Sequence, residues 1–310
     1  MKTKAVIAGY AEGLMYPGVP NQLSYEEVKK AGWTNIILCL YHIDQAGNIS
    51  FNDKRIVQDG TYTGSLYWPG MIGGLKNGGS INTISASIGG EGVSDFRNIQ
   101  AIYEENTNSF TDTQLEKNFQ TFRKTFPAID IIDMACEDYY DPLSFVAFCK
   151  MLIDMGFGIS FCLYNNPWTF PHFWTSSLAQ LENYKPGVVK WWNLQCYNGG
   201  AGNTPQQWAK AINKLIPDFN TTEFIIAGDW SIIPNLCGDS PEQVSELFQN
   251  FGSQSSLGGG FIWTIDNIVL NREETSSACG KNVAMKDYVN AIADVFNYTE
   301  VKIVEKVSWK

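Results

Sequence analysis

An eight-stranded parallel barrel wrapped by helices, the α/β class (β/α)8 TIM barrel in a single domain with a long excursion between strands 2 and 3, is the fold this chain predicts. Three observations carry that prediction. Short β-branched and apolar runs alternate with longer amphipathic ones, the pattern of parallel strands joined by helical crossovers. The short runs number eight. A chain of 310 residues is long enough for one large α/β barrel, although length alone would equally allow two ordinary domains.

In chain order the predicted strands are Ala5 to Gly9, Asn35 to Tyr41, Asn82 to Ile88, Ile129 to Ala135, Gly158 to Tyr164, Trp191 to Tyr197, Glu223 to Gly228 and Gly259 to Ile265. Helix starts are marked by Asp141-Pro142, Thr204-Pro205 and Ser240-Pro241, each a capping side chain before a proline at the first helical position. Ser24 with Glu27 reads as a capping box, Thr111 to Phe126 as a further helix, and Asn282 to Phe296 as the closing one. Between the second and third strands lie about forty residues rich in glycine, with turn signals at Asp44 to Asn48 and Gly73 to Gly79. That segment is expected to hold loop or hairpin excursions beyond one helix. Residues 1–297 are assigned to the barrel and 298–310 to a tail, whose alternation from Val301 leaves an added strand and a frayed end both open.

Composition narrows the function. With 44% apolar and 14% aromatic residues and 28 glycines, the chain is an ordered globular one with many turns. Its net charge of -10 would repel phosphate backbones and anionic membranes, which argues against nucleic-acid and membrane partners and leaves a neutral one such as a sugar. No apolar run approaches the length of a membrane span. The start Met1-Lys2-Thr3-Lys4 is basic, but Ala5 to Ala8 is too short for the apolar core of a signal peptide. The chain as written is therefore expected to be cytoplasmic, or secreted if a signal was removed or export is non-classical. Cys39, Cys136, Cys162 and Cys196 lie in apolar strand-like runs and read as reduced core thiols. Cys237 and Cys279 stand in polar loops, where pairing and reaction both remain open. Sequons at Asn48, Asn220 and Asn297 carry little meaning without secretion.

No metal or cofactor is expected. The two histidines, His42 and His172, are far apart and have no Cys or carboxylate at ligand spacing. There is no nucleophile elbow, no phosphate-binding loop and no dinucleotide fingerprint. His42 follows the second strand and is placed to line a cleft.

A barrel of this kind builds its site where the strands end, at their C-terminal face. Those ends are rich in chemistry: Ser87-Ile88-Gly89-Gly90-Glu91, Asp133 through Glu137, Tyr164 through Trp168, Gln195 through Asn198, Asp229-Trp230 and Trp263 through Asp266. Side chains two apart on a strand share a face, so Asp133, Ala135 and Glu137 point one way while Met134 and Cys136 point the other. Two carboxylates flank a methyl group. Trp and Tyr offer flat faces to sugar rings, and Asn, Gln, Asp and Glu bond hydroxyl and amide groups, so the set suits a carbohydrate cleft.

Each residue also has a plainer reading. A strand-end Glu can simply accept backbone or Tyr hydrogen bonds, and Asp130 and Asp133 are expected to be structural hydrogen-bonders inside the barrel. Trp263 and Tyr197 can be core aromatics, and the Trp191-Trp192 pair is expected to pack. Gly89 and Gly90 are expected to permit a tight turn and a close backbone approach.

Over most of its length the chain resembles glycoside hydrolase family 18, the chitinase and chitinase-like group. Ser87-Ile88-Gly89-Gly90 matches that family's S-x-G-G on the third strand, and Asp130, Asp133 and Glu137 match the first, second and last acidic positions of its D-x-x-D-x-D-x-E. Ala135 stands where the third acid belongs. Tyr197 with Gln195 and Asn198 is similar to the family's sixth-strand Tyr motif, and Trp263 to its eighth-strand Trp at the floor of the site.

The resemblance implies Glu137, Asp133 and Tyr197 as catalytic candidates, with Tyr10, Gly89, Gly90, Gln195, Asn198, Asp229, Trp230 and Trp263 as sugar-binding candidates. It also implies a mechanism in which the last Glu protonates the glycosidic oxygen and the substrate's acetamido oxygen attacks the anomeric carbon. The third Asp would orient that acetamido group and stabilise its developing charge. Ala135 can do neither, a loss worth roughly a hundredfold or more in rate, on the order of 3 kcal/mol. Asp133 also loses a neighbour with which to share a proton, which alters the tuning of Glu137. Asp138 and Asp229 are the candidates to stand in.

Three functions follow as expectations. One is a chitinase-like protein that binds N-acetylglucosamine-containing glycans, chitin-like or N-glycan, with hydrolysis weak or lost. The alternative is an active glycoside hydrolase of chitinase or endo-N-acetylglucosaminidase type, using Glu137 as general acid with substrate assistance. A storage or structural barrel with a blocked cleft is the third.

Overall fold

The computed structural model describes residues 5–137, 139–168, 170–233, 238–273 and 283–307. Cys237, Cys279 and Asp138 lie outside them.

The chain opens with β1 (Val6–Ala11), α1 (Tyr25–Lys30) and β2 (Asn35–Ile43). The excursion that follows holds three short strands, β3 (Ile49–Phe51), β4 (Lys54–Gln58) and β5 (Thr61–Tyr62), and then α2 (Trp68–Gly74). Next come β6 (Thr83–Gly89), α3 (Asp95–Glu105), α4 (Gln114–Thr125), β7 (Ile131–Ala135) and α5 (Pro142–Asp154). The second half runs β8 (Gly158–Leu163), α6 (Pro171–Tyr184), β9 (Val189–Gln195), α7 (Pro205–Leu215), β10 (Ile225–Trp230) and α8 (Pro241–Phe251). It ends with β11 (Leu257–Trp263), α9 (Ile265–Glu273) and α10 (Met285–Val307).

Eight of these strands close into a parallel barrel in the order β1-β11-β10-β9-β8-β7-β6-β2, with β2 returning to pair with β1. This is a (β/α)8 TIM barrel. All eight predicted strands are present, each within a few residues of its expected bounds. The caps explain why the helices start where they do. Asp141 accepts from the Ser144 amide at 2.8 Å, Thr204 from Gln207 at 3.3 Å, and Ser240 forms the full reciprocal box with Gln243. Ser24 accepts from the Glu27 amide, while the Glu27 carboxylate pairs with Arg272 at 2.8 Å.

Within the excursion, β3, β4 and β5 form an antiparallel ribbon that pairs with the end of β2 at Tyr41, His42 and Ile43, beyond its pairing with β1. Phe51 and Trp68 anchor it, packing their rings against one another and against Tyr16, Tyr41 and Phe126. Gly73 and Gly74, expected in a turn, instead form the last residues of α2. The helix α10 continues to Val307, so the segment from Val301 is helical as far as it is described.

Two apolar layers sandwich the strands. The larger fills the space between barrel and helices and includes Trp33, Trp68, Trp174, Trp192 and Trp208. The smaller lies inside the barrel and comprises Ala8, Tyr10, Ile37, Cys39, Ala135, Cys162, Tyr197, Ile226 and Phe261. Trp191 and Trp192 therefore diverge, one against the inner cluster and the other into the outer layer. Gly228 is required by this filling, because a Cβ there would sit 1.9 Å from the Phe261 ring. Asp130 is not inside the barrel as expected. Its carboxylate lies outside, paired with Lys76 at 2.6 Å and accepting from the Ile84 amide at 2.9 Å. Among the described residues, no helix is long and apolar enough to cross a membrane.

Candidate active site

The site is built on β7. Parallel register aligns Ser87 of β6 and Ser160 of β8 with Asp133, and Gly89 with Ala135. The serines therefore reach the Asp133 carboxylate from either side, Ser87 donating at 2.7 Å and Ser160 at 2.6 Å. The Asn193 amide from β9 donates at 2.9 Å and the Tyr10 hydroxyl from β1 at 3.0 Å. All five residues are buried. Burial raises the Asp133 carboxyl above the usual range, and the four hydrogen bonds pull it back. Four donors occupy the lone pairs that two carboxylate oxygens offer.

One step toward the mouth, Ala135 presents only a methyl group to the inner cluster. Gly89 makes the crossing beside it possible: its φ is +112°, and a Cβ would lie 2.2 Å from the Ala135 carbonyl oxygen. The Gly90 amide donates to that same carbonyl at 2.8 Å. Both glycines thus serve a tight turn and a close backbone approach.

Beyond the strand, Glu137 stands part-buried at the mouth. Gln195 donates to its carboxylate at 3.0 Å and also approaches the Cys162 sulfur at 3.6 Å. The Tyr140 hydroxyl bonds the Glu137 carbonyl oxygen at 2.7 Å, fixing the backbone that carries the acid.

The opposite wall is aromatic. Tyr197 stacks on Trp230 with ring centroids 6.1 Å apart and stands near Phe261. Trp263 lies part-buried against Tyr10, 5.3 Å between centroids. Burial pushes the Tyr197 hydroxyl up, with Cys162 and the Glu137 charge adding to the shift. Glu137, Gln195, Tyr197, Trp230 and Trp263 thus belong to the barrel's C-terminal mouth, with Ala135 and Asp133 beneath them.

Other sequence candidates sit elsewhere. Tyr10 is 1% exposed and its hydroxyl is committed to Asp133. Asn198 is exposed on the loop after β9, at a φ of +45°. On β10, Ile226 and Trp230 face the inner cluster and Ala227 the outer layer, which puts Asp229 on the side opposite Trp230. Burial first and the Asp239 charge second raise its carboxyl to about 8. His42 is tied to Asp95 at 2.9 Å, which also accepts from the Ile43 amide.

Sequence reasoning missed several residues here. Ser160, Asn193 and Cys162 come from strands whose register with β7 is a long-range fact. Glu12 follows β1 at the rim, accepting from Thr264 at 3.2 Å, and burial with the Asp266 charge raises its carboxyl to about 7. Asp266 accepts from the Glu12 and Leu14 amides, and its carboxyl is pushed to about 6, chiefly by burial.

Solved structures share this architecture. A GH18 chitinase from Pseudoalteromonas aurantia superposes with a TM-score of 0.61 at 16% identity, covering 94% of this chain and 100% of its own. An Ostrinia furnacalis Group IV chitinase in complex with allosamidin gives 0.61 at 11% identity, covering 95% and 99%. YKL-39, solved in the presence of chitooligosaccharides, gives 0.61 at 11% identity, covering 94% and 99%. The fold is thus that of chitinases and chitinase-like proteins. No protein-family model matches the chain, and no curated protein sequence matches it.

Proposed function

We propose that the barrel mouth binds glycans containing N-acetylglucosamine, and that glycoside hydrolysis there is weak or lost. One observation carries the reading: between a hydrogen-bond-saturated Asp133 and a mouth-facing Glu137 lies the Ala135 methyl. An acid is present to protonate a glycosidic oxygen. Among the described residues, no carboxylate on that face is left to orient an acetamido group or to stabilise charge on its nitrogen, because Asp133 is engaged on all sides. The aromatic wall of Tyr197, Trp230 and Trp263 supplies flat faces for sugar rings, and Gln195 supplies an amide for hydroxyl and acetamido groups. Structural neighbours include chitinases and a protein solved with chitooligosaccharides, which supports this substrate class.

A second reading, an active glycosidase with Glu137 as general acid, is favoured by the retained acid and its Gln195 partner. In that case the substrate itself would carry more of the charge stabilisation. Calorimetric binding and product analysis with chitooligosaccharides and N-glycans, using Glu137→Gln as control, separate the two. Binding with little or no product is expected. Robust turnover abolished by Glu137→Gln would replace the first reading with the second, and failure to bind any of these glycans would end both.

A further inference from the structure

Five tryptophans, Trp33, Trp68, Trp174, Trp192 and Trp208, are fully buried, but Trp168 is 81% exposed. It stands on the loop after β8, at the same end of the barrel as Glu137. The root of that loop is fixed. The Asn203 amide donates to the Tyr164 carbonyl at 2.8 Å and to the Asn165 carbonyl at 3.3 Å. Trp174 donates to the Asn165 side-chain oxygen at 3.2 Å, and the Tyr140 hydroxyl shares its one proton between that oxygen, at 3.0 Å, and the Glu137 carbonyl. At the tip, the Trp168 amide donates to the Asn166 side chain at 3.0 Å.

A large indole held outward on a pinned loop contributes little to the core and keeps its apolar face in water. Two positions along the chain, Phe170 stacks on Tyr140 with centroids 4.7 Å apart and is itself 38% exposed. Tyr140 in turn bonds the Glu137 carbonyl. The Tyr140–Phe170 stack is therefore tied to the backbone of Glu137. From Tyr164 to Phe170 the chain carries no charged residue. Flat aromatic faces beside neutral amides suit a neutral, hydroxyl-bearing ring better than an ion or a charged polymer.

We propose that Trp168, on the same loop as Phe170 of the Tyr140–Phe170 stack, is an outer platform for a pyranose ring, extending the cleft past Glu137 over the β7–β8 rim. The inference rests on the glycan reading above and deepens it: the preferred ligand is an oligosaccharide long enough to span mouth and rim. A short oligosaccharide fills the mouth alone.

Titration calorimetry with short and long chitooligosaccharides, on wild type, Trp168→Ala and Trp168→Tyr, tests this. Trp168→Ala is expected to weaken the long oligosaccharides about tenfold while leaving the shortest binder within about twofold. Trp168→Tyr should retain most of the long-chain affinity. If wild type binds these sugars and Trp168→Ala weakens none of them, or weakens all equally, the platform is overturned while the mouth reading stands. Loss of self-association in Trp168→Ala with sugar affinity intact would assign the surface to a second copy of the chain and overturn it as well. Wild type binding no sugar at any length would sink the glycan reading itself.

Discussion

Two carboxylates, Asp133 within β7 and Glu137 just past its end, live in opposite regimes on either side of Ala135. Asp133, below, is fully buried and accepts from Tyr10, Ser87, Ser160 and Asn193. Glu137, above, is part-buried, and Gln195 donates to it. The lower acid has had its hydrogen-bonding capacity used by the protein, and the upper one faces a mouth lined with aromatic rings. The difference teaches that acidic residue type and strand position do not define a catalytic group; what matters is which lone pairs the fold leaves for a ligand. The Ala135 methyl marks the boundary between structure and site.

The sharpest way to break this contrast is Asp133→Ala. It strands four buried donors and should cost roughly 3–5 kcal/mol of stability in a guanidinium titration. A cost under about 1 kcal/mol with sugar binding abolished would make Asp133 a ligand-binding acid and erase the distinction. Next in size, Gly89→Ala forces a Cβ against the Ala135 carbonyl at positive φ, and should cost roughly 2–3 kcal/mol by the same assay. A neutral result would show that the β6–β7 crossing beside the methyl is loosely held.

A smaller effect concerns the rim. The folded Glu12 carboxyl sits at about 7 against an ordinary 4.5, so the folded state holds this proton more tightly than the unfolded chain. Its contribution to stability is full below about 4.5 and is lost as pH rises through 7. Thermal melts should therefore show Glu12→Gln gaining on wild type as pH rises from about 4.5 to about 7 and holding level above that, and parallel curves would refute the rim assignment. Smallest is the stability effect of Glu137→Gln, expected within about 1 kcal/mol, because this acid is held at the mouth rather than in the core. A loss as large as that of Asp133→Ala would place both acids in one structural class.

Much of the fold was legible in the sequence. The eight strands showed themselves as apolar runs, and α5, α7 and α8 were announced by Asp-Pro, Thr-Pro and Ser-Pro. The helices α3 and α6 carried no such signal, since neither Ser94 nor Phe170 makes a side-chain cap hydrogen bond. The glycines of α2 disguised a helix as a turn. Within the site, the shared face of Asp133 and Ala135 followed from the period of a strand, whereas Glu137 stands past the strand's end, where that period no longer holds. Asp133's donors did not, because they depend on the lateral register of β6, β8 and β9 and on a hydroxyl arriving from β1. Asp130 shows the same limit: its pairing with Lys76, some fifty positions away in the chain, is a tertiary contact with no local mark.

The most direct measurement is the turnover of chitooligosaccharide by Ala135→Asp relative to wild type, with sugar affinity followed in parallel. Placing a carboxylate between Asp133 and Glu137 should raise the rate by about a hundredfold or more while the affinity stays similar. A folded, sugar-binding Ala135→Asp protein no faster than wild type would contradict the claim that this one methyl separates binding from hydrolysis.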